Sequence, residues 1–298
     1  MARFVDGPVT VSVPATSANL GPGYDSLGLA LDLRDRLTGE VTASGLDVHV
    51  SGEGTDFVPL DESHLVVRAM RAAFAELGEQ PAGLRLRCDN AIPHARGLGS
   101  SSAAIVGGIA LARSLVAGGT LVLDDDAAFR LAAELEGHPD NVAPAWYGGL
   151  VISGRDDDWY AVPTGVDPRV DVVVFVPPEP LSTELARGLL PEAVPHADAA
   201  ANAGRTALLV AALASAPEHL LVATRDFLHQ DYRRPAMPVS LDLVDTLRAE
   251  GVAAVVSGAG PSVLAFCAGC DAEALARRAP AGWVANRLQV ARAGVRVE

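Results

Sequence analysis

The chain predicts an α+β fold in two domains. Three observations carry that expectation. Its 298 residues exceed the usual size of a single compact core. Strand-like and helix-like periodicities follow one another in a mixed order, not as a regular βαβ repeat. After about residue 160 the pattern begins again, which divides the chain into domains at 1–160 and 161–298.

The elements can be justified in order. Residues 9–13 alternate as a half-buried strand does, and 41–50 supply further strand-like residues. Residues 64–77 carry apolar side chains at helical spacing and end near Gly78. A strand over 84–88 leads into a glycine- and serine-rich loop, and an Ala-rich helix over 103–116 follows it. Residues 127–136 form the next helix, broken by Gly137 and Pro139. Residues 148–153 return as a strand, and Asp156, Asp157 and Asp158 mark an exposed turn. In the second half, 172–176 is an uninterrupted apolar strand ended by Pro177 and Pro178. Helices are expected over 201–213, 218–228 and 239–250. Strands over 253–257 and 263–267 flank a second glycine-rich turn, 271–278 is helical, and 283–292 closes the sheet.

Composition removes whole classes of function. The net charge of −14 repels nucleic acid and anionic membranes, so neither is expected as a partner. No run approaches the ~20 apolar residues of a membrane span, and no opening segment joins a basic start to a long apolar stretch, so the expected location is cytoplasmic. The substrate is expected to be small. All 23 basic residues other than histidine are arginines. Without a lysine, Schiff-base chemistry and a Walker A phosphate site are both excluded. Cys267 and Cys270 form a CxxC that could be a redox pair or half a zinc site, but no second Cys or His pair lies near and a buried strand precedes it. Of the histidines, His49, His94, His196, His219 and His229 show no metal-ligand spacing.

The densest chemistry lies in residues 92–104, Ile-Pro-His-Ala-Arg-Gly-Leu-Gly-Ser-Ser-Ser-Ala-Ala. Gly97 and Gly99 allow a tight turn and a close approach to a ligand, and three serines stand where a helix begins. Free N–H groups and the helix dipole make such a place an anion site, and a nucleotide phosphate is the obvious anion. A helix cap alone would have the same composition. Two further segments join it. One is Val13-Pro14-Ala15-Thr16-Ser17-Ala18-Asn19-Leu20-Gly21-Pro22-Gly23-Tyr24-Asp25, a strand running into a polar loop. The other is Ser257-Gly258-Ala259-Gly260-Pro261-Ser262, a turn between two apolar strands.

In this order the three segments resemble the motifs of the GHMP kinases, a family named for galactokinase, homoserine kinase, mevalonate kinase and phosphomevalonate kinase. The likeness runs from Val11 to Cys267. It is strongest to the branch acting on L-homoserine, through residues 14–23 and through His138-Pro139-Asp140-Asn141-Val142-Ala143-Pro144. Tyr24 stands where family chains commonly carry Phe, and His64 where a helix often begins with Asn near the adenine. The resemblance implies an N-terminal domain with a left-handed crossover, a ferredoxin-like C-terminal domain and a homodimer. It also implies transfer of the ATP γ-phosphoryl group, with Mg²⁺, to the side-chain hydroxyl of L-homoserine, a step towards threonine.

Site residues follow from the resemblance position by position. Pro93, His94, Ala95, Arg96, Gly97, Leu98, Gly99, Ser100, Ser101, Ser102 and Ala103 would form the nucleotide loop, with Gly258 and Gly260 from the third motif. Ser101 or Ser102 with Glu136 would hold Mg²⁺, which prefers oxygen ligands; Glu134 falls on another side of the same helix. Asp25 would meet the acceptor's ammonium, with Asn19 and His138 hydrogen-bonding beside it. Arg187 and Arg233 would clasp its carboxylate, whereas Arg205 and Arg234 are expected to pair with nearby acids.

Several GHMP kinases use an Asp base helped by a Lys. Here that position matches Asn141, which takes no proton at neutral pH, so Asn141 would orient the hydroxyl while a phosphate oxygen receives its proton. Thr183 is a second candidate near the γ-phosphate, and Asp140 would be the base if the register shifts by one. Two other functions stay open. A family kinase acting on an isoprenoid alcohol phosphate would want a more basic pocket. A non-catalytic nucleotide or metabolite sensor should have lost a loop serine or glycine, and none is missing.

Overall fold

A computed structural model describes residues 4–298. The first sheet takes β1 (Val9–Asn19), β2 (Gly23–Thr42), β3 (Gly45–Gly52), β4 (Gly83–Asn90), β5 (Leu150–Arg155) and β6 (Trp159–Thr164). Its helices are α1 (Leu65–Glu76), α2 (Ser100–Leu115), α3 (Gly119–Val122), α4 (Asp125–Glu136) and α5 (Val142–Tyr147). β1 pairs with β2 along nearly its whole length, with register shifts after Pro14 and Ala18. β2 then divides its other edge, pairing with β5 at residues 27–29 and with β4 at 36–42. β3 runs parallel to β4, with α1 crossing between them. α1 meets α2 at Gly108, where a Cβ would stand 2.6 Å from the Val66 carbonyl oxygen.

The second half builds β7 (Val170–Val176), β8 (Ala254–Val256), β9 (Val263–Ala268) and β10 (Val284–Gln289) into an antiparallel sheet ordered β10-β7-β9-β8. Between β7 and β8 lie α6 (Thr183–Gly188), α7 (His196–Ser215), α8 (Leu220–Ala223) and α9 (Pro238–Ala249), and α10 (Ala272–Ala276) joins β9 to β10. A fourth-first-third-second order in a βαββαβ path is the ferredoxin-like arrangement. The uninterrupted apolar run of β7 has a simple cause. Val172 and Val174 face the larger core, shared with the first sheet, whereas Val173 and Phe175 face a second core under α9 and α10.

Some expectations need correcting. The strand-like stretch at 41–50 is the end of β2 and most of β3, parted by a turn, and β2 itself begins at Gly23. Its polar and glycine residues hide the alternation. The helix expected over 218–228 shrinks to Leu220–Ala223 after a short 3-10 turn. Asp226 ends it, because its carboxylate accepts the N–H groups of Leu228, His229 and Gln230. The stretch 283–292 does not all lie in one sheet. β10 pairs with β7, but Val290 bridges to Leu31, and β11 (Arg296–Val297) pairs with β1. Cys267 and Cys270 are joined in a disulfide, and among the described residues no three metal-binding side chains cluster. Among the described residues, no helix is long and apolar enough to cross a membrane.

Candidate active site

The three motifs meet at one joint. Gly99 caps α2 with φ +71°, and a Cβ there would lie 1.9 Å from Thr16 Oγ1. Gly97 has the same φ, and its Cβ would lie 2.2 Å from the Ser257 carbonyl oxygen. Both glycines therefore serve close approach by the protein's own first and third motifs. Hydrogen bonds fasten the joint: Thr16 N to Leu98 O at 3.0 Å, Ser257 Oγ to Gly97 O at 2.6 Å, Gly258 N to Ala18 O at 3.1 Å and Asn19 Nδ2 to Gly258 O at 2.9 Å.

A cleft of about 770 Å³ opens beside this joint. On its floor α2 begins at the serines. Its first internal bond runs from Ala103 N to Gly99 O, leaving the amides of Ser100, Ser101 and Ser102 without helical acceptors. Ser101 Oγ and Ser102 Oγ donate to the same oxygen, Glu136 Oε1, at 2.5 and 2.8 Å. Asp124 caps the start of α4, and Gly137, at φ +85°, ends it just after Glu136. The helix thereby delivers that carboxylate to the serines. Two hydroxyls and one carboxylate form an all-oxygen set suited to a hard cation such as Mg²⁺.

One end of the cleft was not foreseen. Phe57, Val58, Pro59, Leu65 and Val66 line it from the β3–α1 connection and the start of α1. The signal was present as apolar residues within an otherwise polar turn, Thr55-Asp56-Phe57-Val58-Pro59. His64 lines the same end and caps α1, its Nδ1 accepting from Val66 N at 3.2 Å. Burial, followed by the charge of His94, lowers the His64 pKa, so it is neutral at pH 7. A buried carboxylate, Asp35, also reaches the wall and accepts the N–H groups of Ala91 and Ile92 at 2.7 and 2.9 Å. Burial pushes its pKa up to about 6.

The other end gathers the residues expected to hold an acceptor. Asn19, His138, Asn141, Thr183, Arg187 and Arg233 all line it. Asp25 stands just behind, its carboxylate gripping Arg187 through two bonds of 2.6 and 3.0 Å. That hydrogen bond, above all, raises the Arg187 pKa. Arg187 Nη1 also donates to the Tyr24 hydroxyl at 2.8 Å. Arg233 is 1% exposed and donates to Ala186 O, His229 Nδ1 and Gly258 O at 3.0–3.3 Å. Burial lowers its pKa, and none of those partners is a carboxylate. Arg234, by contrast, pairs with Asp231, Asp242 and Asp245 outside the cleft, as expected. Pro93, Ser102, Ala103 and Gly260 lie behind the wall instead of on it.

Asn141 Oδ1 accepts from Thr16 Oγ1 at 2.8 Å, which leaves its amide N–H groups as donors. Asp140 is 2% exposed and bonded to His138 Nδ1 at 3.0 Å. Burial alone would lower the His138 pKa, but the bond to Asp140 and the charges of Asp140 and Glu136 outweigh it, and the net shift is upward from 6.5. The folded value lies above the unfolded one. The pair thus stabilises the fold in full below about 6.5, and that contribution fades as pH rises through the folded value. In Asp140→Asn the largest influence left is burial, joined by the Arg187 charge and opposed by Glu136 alone, so the His138 ring should titrate below 6.5, read from its ring-proton NMR shift. A ring still titrating above that value would show that Asp140 is not its main partner.

Sequence comparison agrees with this geometry. Residues 64–149 match the family description "GHMP kinases N terminal domain", and residues 205–285 match "GHMP kinases C terminal". The chain is 54% identical over 296 residues to the homoserine kinase of Streptomyces avermitilis, covering 99% of this chain and 97% of the relative. It is 53% identical to the homoserine kinase of Streptomyces coelicolor, covering 99% and 96%. Among solved structures, the homoserine kinase of Cytophaga hutchinsonii superposes with a TM-score of 0.86 at 24% identity, covering 99% of both chains. A putative homoserine kinase of Listeria monocytogenes gives 0.76 at 32% identity, covering 97% of this chain and 99% of that one.

Proposed function

Because the chain belongs to the GHMP kinases, we propose that it transfers the γ-phosphoryl group of ATP to the side-chain hydroxyl of L-homoserine, giving O-phospho-L-homoserine. One observation carries the acceptor: the Arg187 and Arg233 guanidinium groups line the cleft that the phosphate loop opens into, with the Asp25 carboxylate just behind, held on Arg187. An amino acid needs both signs of charge there. Arg233 in particular is a buried cation lacking a carboxylate partner, a place prepared for an anion.

Phosphoryl transfer needs positioning and charge neutralisation more than a nucleophile. The free amides of Ser100 to Ser102 and the α2 dipole would receive the phosphates. Ser101 or Ser102 with Glu136 would hold Mg²⁺, which supplies neutralising charge at the phosphate oxygens when bound; Ser101 is the one on the cleft wall. The Asn141 amide would donate to the acceptor hydroxyl oxygen and fix its direction. It cannot remove a proton, so the proton passes to a phosphate oxygen, as a loose transition state allows. Asp140 also lines the cleft, but its carboxylate is taken up by His138, which supports Asn141 as the residue facing the hydroxyl. Thr183, at the start of α6 on the cleft wall, would donate to the γ-phosphate. Domains at 1–160 and 161–298 belong to the same reading, although β6 carries the first sheet across that point to Thr164, the second sheet begins with β7 at Val170, and β11 returns to the first. So do a homodimer, which sedimentation would test, and a cytoplasmic location.

The test is ADP release with Mg-ATP and a panel of L-homoserine, D-homoserine, L-threonine, L-serine, mevalonate, galactose and shikimate. Turnover on L-homoserine, well above all others, is the expected result. Preference for another alcohol would keep the kinase and discard the acceptor site. Silence on all of them would make the chain a non-catalytic binder.

A further inference from the structure

Asp35 is a buried charge that the proposed transfer does not use. It is 4% exposed, yet it lines the apolar end of the cleft. Its two oxygens differ. Oδ1 accepts the N–H groups of both Ala91 and Ile92. Oδ2 has no donor among the described residues, and it is not one of the side-chain atoms sealed from solvent, so it is open to the cleft. With a pKa of about 6, the carboxylate is mostly ionised at pH 7. A buried carboxylate oxygen left without a donor is costly in the empty cleft, and a ligand N–H would relieve that cost. His64, 5% exposed, presents the opposite sense at the same end. Its Nδ1 accepts from Val66 N, so the neutral ring carries its proton on Nε2, which has no acceptor among the described residues. Apolar surface surrounds both: Val58, Leu65 and Val66, with Phe57 meeting the His94 ring edge-on at 5.5 Å. The acceptor residues fill the other end, which leaves this one for the base of the nucleotide.

We propose that Asp35 selects the base, its open Oδ2 accepting from an exocyclic amine and so favouring a 6-amino purine over a 6-oxo purine. This rests on the reading of the cleft as the nucleotide site of a kinase. The physical argument is one of matched and mismatched pairs. Adenine brings an N–H to a carboxylate oxygen that otherwise has none, and the bond is charge-assisted. Hypoxanthine brings a carbonyl oxygen to the same place. Two acceptors then face each other, and the buried charge stays unpaired. His64 Nε2–H would meet a ring nitrogen, which every purine has, so it adds affinity without telling the two apart. The apolar walls hold either ring equally well. Discrimination therefore falls on one oxygen atom.

Titration calorimetry without acceptor tests this, using ATP, ITP and N6,N6-dimethyl-ATP, which has no N–H left on its exocyclic nitrogen. The wild-type protein should bind ATP about 30-fold or more tighter than either analogue. N6-methyl-ATP keeps one N–H and should stay within about 5-fold of ATP. Asp35→Asn reverses the reading. Its side-chain oxygen must stay with the Ala91 and Ile92 amides, which turns the new NH₂ group towards the cleft and makes an acceptor into a donor. The variant should bind ATP about 10-fold more weakly and ITP about 10-fold more tightly than wild type does. Equal weakening of both nucleotides would overturn the proposal and leave Asp35 a strut for the chain entering the phosphate loop. So would a wild-type protein that binds ITP within about 3-fold of ATP. If Asp35→Asn does not fold, the dimethyl analogue decides on wild type alone, and binding equal to ATP overturns the proposal. Selective ATP binding without turnover on any acceptor would support the base reading and overturn the kinase reading. A protein that binds no nucleotide would overturn both.

Discussion

Glu136→Ala should lower kcat by about 10³-fold with little change in thermal stability. The reason lies in what Glu136 touches. Its Oε1 is the common acceptor for Ser101 and Ser102, the oxygens from which the proposed Mg²⁺ ligands are drawn. Removing the carboxylate takes away the negative charge that would hold the ion and frees two hydroxyls to rotate. Little of the core depends on it, since Glu136 is only partly buried and α4 packs through Ala128, Phe129, Ala132 and Ala133. Glu136→Gln separates the two roles, because an amide oxygen still accepts from the serines but carries no charge. Steady-state rates across a Mg²⁺ series check this. A loss below about 10-fold in Glu136→Ala would place the ion elsewhere.

Arg233→Gln should lower kcat/KM for L-homoserine by about 10²- to 10³-fold, mostly through KM, with KM for ATP unchanged. Arg233 is the deepest cation in the cleft, and its bonds go only to neutral acceptors. A carboxylate arriving there meets a guanidinium in a place with little water to screen it. Gln keeps one donor for the buried carbonyls and so limits damage to the fold. If KM for L-homoserine stays within about 3-fold of wild type, Arg233 is a structural strut for the third motif and Arg187 alone receives the carboxylate.

The phosphate loop was legible in the sequence because its chemistry is local. Two glycines and three serines at a strand-to-helix step suffice to place free amides at a helix start. Glu136 was legible for a similar reason, since Gly137 marks the end of its helix. The acceptor end was legible only as a set of charges. Nothing in residue order shows that Arg187, 162 positions away, closes on Asp25, or that Tyr24 lies beneath two guanidinium groups. Such contacts depend on how the two sheets are laid against each other. The apolar end of the cleft was missed because a wall made of Phe57, Val58 and Leu65 has the same composition as any surface turn that hides a few apolar side chains. The early end of the 218–228 helix was also hidden, since Asp226 acts through backbone bonds that an ordinary helical Asp would not make.

The joint between the three motifs bears on whether such a loop is portable. A Walker A loop takes its shape and its charge from one strand–turn–helix unit, so it can recur in many scaffolds. Here Gly97 and Gly99 are shaped by Ser257 and Thr16, and Ser257 reaches Ser17 across 240 positions of chain. Residues 92–104 grafted onto another protein would carry the glycines and serines but not the surfaces that bend them. The transferable unit is the pair of domains that supply Thr16 and Ser257, and a graft that keeps the shape of the loop must carry both.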